Sequence, residues 1–204
     1  MKEEKDYIQD IAEIRSMMEH SSKFLSLSGW SGIMAGVYAL AGAFIVWMVY
    51  DFNPSYLLYG LFEPIPDVFE LFIIAMAVLV MALVTAFFDS FRKARSKGEK
   101  AWNAVSKKLL TNLAVPLVAG GVLIIAVASA GLVGLVMPLT LIFYGLALYN
   151  GGNFTYRAIK ILGVVQMFLG LLSCFFIEYS LLLWAFGFGI VHIIYGVYMF
   201  SKIR

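Results

Sequence analysis

Polar side chains inside long apolar runs are where this chain could do chemistry, and His192 is the foremost of them. Hydrocarbon offers a polar group no partner, so each must find one in the protein or serve a ligand. His192 lies about eight residues, roughly 12 Å of helix, from the basic end of the last apolar run. Gln166 lies about seven residues, roughly 10 Å, into the preceding run from the same end. A tight hairpin would bring the two to one depth. Tyr195, Tyr144, Thr140 and Tyr38 reach a similar layer from their own runs. Two readings stand side by side. One is an interhelical hydrogen bond that pins the bundle, worth about 0.6–2 kcal/mol per contact. The other is a small-ligand pocket in the inner half of the membrane.

Other chemistries find less to work with. The second histidine, His20, lies in the N-terminal tail, which leaves no pair of axial ligands, and no metal is expected. The lone Cys174 cannot form an internal disulfide and reads as a small buried hydrophobe. Glu70 and Glu178 fall at the outer boundary, so no carboxylate is placed for a mid-membrane proton relay. No catalytic set and no cofactor are expected.

The elements that position these groups follow from composition. Of 204 residues 62% are hydrophobic and 14% charged, against about half and a quarter in soluble domains. A core of this size cannot hide the excess, so lipid must be the solvent for much of it. The net charge of +2 is too small to suggest nucleic acid. A membrane helix needs about 20 mostly apolar residues. The runs near 27–49, 68–88, 109–129, 132–149, 159–177 and 181–200 meet that need. The segment Ala130-Gly131-Leu132-Val133-Gly134 must reverse the chain between the third and fourth. The expected fold is all-α: a six-helix transmembrane bundle of three αα-hairpins.

Charge sets the orientation. Lys2, Lys5, Arg15 and Lys23 precede the first span. Arg92, Lys93, Arg95, Lys97, Lys100, Lys107 and Lys108 follow the second. Arg157 and Lys160 lie between spans four and five, and Lys202 and Arg204 close the chain. Every Lys and Arg thus falls on one side, while Asp51, Glu63, Asp67, Glu70 and Glu178 mark the other. The positive-inside rule places the basic side, and both termini, in the cytoplasm.

The chain divides into a cytoplasmic segment, 1–25, and a transmembrane domain, 26–204. Ile8, Ile11, Ile14 and Met18 give the first an amphipathic helical face with acids elsewhere. Such a helix lies on the membrane or the bundle, or docks a cytoplasmic protein partner. In the first span Ser28, Gly32 and Gly36 recur at spacing four, which lets helix backbones approach closely in lipid. They pack within the bundle or in a homodimer. Leu141-Ile142-Phe143-Tyr144-Gly145 also aligns without a gap on His192-Ile193-Ile194-Tyr195-Gly196, as a hairpin repeat would.

Two resemblances enter here. Gly29-Trp30-Ser31-Gly32 spells the Gly-x-Ser-Gly of rhomboid intramembrane proteases. That family places its serine on the fourth span and opens toward the outer half, whereas Ser31 begins the first span near the cytoplasm. Its companion motifs are missing, so no role is carried over. The residues Ile14-Arg15-Ser16-Met17-Met18-Glu19 and Ser21 through Gly29, with Gly32 and Ala35-Gly36, resemble a group of small uncharacterised bacterial membrane proteins. That resemblance implies the bacterial inner membrane and brings no activity with it. The expected function is non-enzymatic: signalling, scaffolding or assembly through the N-terminal helix, with membrane lipid as solvent. The alternatives are a binder or transporter of a small molecule or lipid around His192 and Gln166, and an intramembrane enzyme.

Overall fold

Each apolar run forms a helix because hydrocarbon obliges every backbone N–H and C=O to pair within its own segment. The computed structural model describes residues 29–49, 68–96, 102 and 104–202, and among them every regular element is helical. The helices are α1 (Gly29–Val49), α2 (Val68–Ser96), α3 (Ala104–Ser129), α4 (Val136–Gly151) and α5 (Arg157–Phe175). The last span is composite: α6 (Ser180–Trp184), a π-helical stretch Ala185–Val191, and α7 (His192–Lys202). Among the described residues six helices are long and apolar enough to cross a membrane, and the protein is an all-α multi-pass bundle. The amphipathic segment 1–25 and Ser28 lie outside the described residues.

Boundaries differ from expectation chiefly at α2, which passes Phe88 and runs to Ser96. Lys93 and Arg95 are good helix formers, and their charge suits the negative end of the helix. The reversal after α3 is a Schellman cap. Leu132 N–H bonds Val127 O and Gly131 N–H bonds Ala128 O, each at 3.0 Å, with Gly131 at φ 79°.

The α4–α5 and α1–α7 pairs run antiparallel, as glycine contacts show. Gly145 on α4 meets Gly163 on α5: a Cβ on either would stand 2.6 or 2.7 Å from the other's carbonyl oxygen. Gly196 on α7 meets Gly29 on α1 in the same way. Gly145 and Gly196 are matched positions in the internal alignment, and both mark helix crossings. In lipid such crossings are held by close van der Waals contact, so the missing Cβ is what permits them.

The packing order is α2, α1, the last span, the α5–α4 pair, then α3. Consecutive spans α2 and α3 occupy opposite edges: α2 packs along α1, and α3 along α4. None of the most apolar window of α2 is buried by protein, and Phe72, Leu79, Leu83 and Phe87 face outward as lipid contacts require. The buried polar residues collect instead where the last span meets α4 and α5.

Candidate functional site

The central polar cluster begins with a local irregularity of backbone. In a π-helix each N–H reaches back five residues rather than four, which widens the helix and disturbs the α ladder. The π stretch contains Gly187, whose carbonyl oxygen is used by side chains. Gln166 Nε2 on α5 donates to it at 2.7 Å, and His192 Nδ1 lies 2.9 Å from it. His192 Nε2 lies 2.9 Å from the Tyr144 hydroxyl on α4. Three helices are thus joined around one imidazole.

Hydrogen-bond roles follow from what each atom can do. A flipped Gln166 amide would set two oxygens 2.7 Å apart, so its nitrogen must face Gly187. With the imidazole proton on Nδ1, His192 donates to Gly187 O and Nε2 accepts from Tyr144. With the proton on Nε2, His192 donates to the Tyr144 oxygen and Nδ1 accepts from Gln166 Nε2 at 3.2 Å. Each tautomer satisfies both ring nitrogens.

Gln166 Oε1 is different: it is buried and has no hydrogen-bond partner. A Cβ on Gly187 would stand 2.6 Å from it and 2.9 Å from Leu141 Cδ2. The glycine therefore makes room for the amide, while apolar side chains close around it. Leaving such an acceptor unmade costs about 1–3 kcal/mol.

Aromatic rings continue the cluster toward the acidic end. Phe188 stacks on His192 at 5.7 Å and lies 4.9 Å from both Tyr144 and Trp184. Trp184 Nε1 donates to Thr140 Oγ1 at 3.1 Å, and Thr140 donates to Met137 O at 2.7 Å. Farther along, Ser173 and Ser180, both fully buried, share a hydrogen bond at 3.0 Å.

Of the residues singled out from sequence, His192, Gln166 and Tyr144 meet directly, and Thr140 joins them through Trp184 and Phe188. Two do not join. Tyr38 shares a hydrogen bond with Thr85 of α2 at 3.2 Å. Tyr195 places its ring against Gly32 in the α1–α7 interface. Gly32 and Gly36 face the last span: a Cβ on Gly36 would stand 2.6 Å from Gly189 O. That stripe is filled from within the chain. Gly187, Phe188 and Trp184 are the members that sequence reasoning missed. The pattern Gly187-Phe188-Gly189 was the available signal, but a backbone carbonyl acting as a hub leaves no mark in residue type.

The hydrogen bonds of His192 run to Tyr144, Gly187 and Gln166. Ser31 adjoins Gly32, which packs at Tyr195 and Gly196, a turn of helix away from the imidazole. Among the described residues no group of three or more His, Cys, Asp or Glu could hold a metal ion. No family model, curated protein or solved structure matches the chain.

Proposed function

We propose that this is a non-enzymatic protein of the bacterial inner membrane that assembles with a cytoplasmic protein through residues 1–25. The observation that carries the non-enzymatic reading is the full use of both His192 nitrogens by Tyr144, Gly187 and Gln166. The imidazole acts as a lock between helices rather than as a base beside a nucleophile. The segregation of Lys and Arg supports cytoplasmic termini. The resemblance over Ile14–Gly36 supports the bacterial membrane.

The test compares the full chain with one lacking residues 1–22, each tagged at the C-terminus and isolated from membranes after mild cross-linking. The expected result is a stoichiometric protein partner present only with the full chain, and equal thermal stability of the two bundles. An identical set of cross-linked proteins would end the reading.

A second reading is favoured by the unpartnered Gln166 Oε1. A small molecule bearing an N–H or O–H donor would relieve it, making the cluster a binding or transport site. Native mass spectrometry of the detergent-purified protein separates the two. An added mass that His192→Leu abolishes supports binding, and a bare chain mass supports the lock.

A further inference from the structure

Ala94, near the end of α2, is 2% exposed, while Phe91, Arg92 and Arg95 around it are open. An alanine on a free helix surface keeps its methyl group accessible, so another segment of chain lies on this one.

That cover is not α1, the helix along which α2 packs. Tyr38 of α1 reaches Thr85 of α2, which marks the α1-facing side. Ala94 stands nine residues on. At 3.6 residues per turn that is about two and a half turns, so it faces the opposite way. Height gives the same answer. Gly42 meets Val78, and thirteen residues from each, toward the basic end, stand Gly29 and Phe91. α1 thus begins level with Phe91, and Ala94 lies beyond it.

The connection 97–103 offers little. Its one large apolar side chain, Trp102, is exposed, with Lys107 Nζ 5.8 Å from the ring centre. The chain before α1 is better matched. Ile8, Ile11, Ile14 and Met18 recur at helical spacing, and Asp6, Asp10 and Glu13 form a second stripe at spacings of four and three. On α2, Phe87, Phe91 and Ala94 share a face that can receive the first stripe. Arg92 and Arg95 lie along one edge of that face, where they complement the second.

The tether is long enough. Seven steps of chain from residue 22 to Gly29 reach up to about 24 Å. Crossing from α1 past α2 to its far side takes two helix-packing distances, about 18 Å.

We propose that residues 5–22 dock as a helix on the Phe87–Ala94 face of α2, apolar side inward, with Asp6, Asp10 and Glu13 toward Arg92 and Arg95. The occupant is the chain's own N-terminal segment. The seat is independent of which side of the membrane this end faces. A protein that captures residues 1–25 must compete with it; that consequence rests on the function proposed above, and the seat does not.

The experiment uses the full chain in membranes, with Cys174→Ala and Phe91→Cys as common background. A further cysteine replaces Ile8, Ile11, Ile14 or Met18, or, on the other side of the helix, Gln9 or Ser16. A short bismaleimide should join position 91 to at least one of the first four within a single chain, and to neither control. Peptide mass spectrometry reads the link, and a denaturing gel separates links within a chain from links between chains. No link in any pair, or equal links from both sides of the helix, would overturn the proposal. Links only between chains would overturn it in favour of a second copy. Arg92→Glu with Arg95→Glu should lower the yield about two- to fivefold, and adding Asp10→Lys with Glu13→Lys should restore it. A yield unmoved by the arginine changes counts against the seat. If Phe91→Cys disturbs folding, Phe87→Cys, at a more exposed position of the same face, takes its place.

Discussion

The Tyr144 hydroxyl stands 2.9 Å from His192 Nε2, tying α4 to α7 through the only imidazole among the described residues. The contact sits in a layer where every partner is another protein group, so removing either member leaves the other stranded.

His192→Leu should therefore lower stability by roughly 1–3 kcal/mol, because Tyr144 and the Gln166 amide each lose a partner inside the bundle. Tyr144→Phe, which removes one hydroxyl, should cost about 0.6–1.7 kcal/mol. Thermal unfolding in detergent measures both. The double variant should fall short of the sum, since the two residues share one bond. Strict additivity would mean that the bond contributes nothing.

Gly187→Ala places a methyl group 2.6 Å from Gln166 Oε1, where a packed wall leaves it no exit. The expected cost is roughly 1–3 kcal/mol. Combining it with Gln166→Ala should recover part of the loss by removing the atom that clashes. An unchanged melting temperature for Gly187→Ala alone would mean that the notch is roomier than the geometry implies.

Gly145 and Gly121 make a contrast within one chain. A Cβ on Gly145 meets Gly163 O at 2.6 Å, whereas one on Gly121 meets nothing within 4 Å. Gly145→Ala should destabilise by pushing α4 off α5. Gly121→Ala should be neutral or stabilise by up to about 1 kcal/mol, the helix-propensity gain over glycine. Equal effects in unfolding experiments would remove the case for Gly145 as a crossing point.

Topology is open to direct labelling. In a Cys174→Ala background, an impermeant thiol reagent on intact cells should modify Ser129→Cys and spare Asn153→Cys and Ser201→Cys. The reverse pattern would invert the proposed orientation.

The six spans were legible because their signal is collective. Runs long enough to cross hydrocarbon stand apart from the segments that hold every Lys and Arg. The Gly131 reversal was readable because few residues adopt positive φ. Within the polar layer the sequence told height but not bearing. Counting residues along a helix fixes depth, so His192, Gln166 and Tyr144 were properly grouped. The same count put Tyr38 and Tyr195 nearby, yet both face α1–α2 or α1–α7 contacts. Which way a helix turns its face depends on its neighbours. The π stretch was hidden for a different reason: an extra residue in a turn alters bonding without requiring any residue type.

The meeting of Gly29 with Gly196 has a consequence for how the chain is made. The α1 helix finds its principal partner in the span that ends with α7, with four spans synthesised between them. Until that final segment enters the membrane, α1 and the α2 that leans on it have only each other. Such long-range closure makes assembly slow and leaves an intermediate with exposed helix surfaces. A chain that stops short of His192 would not merely lose an imidazole; its opening hairpin would drift apart from the rest.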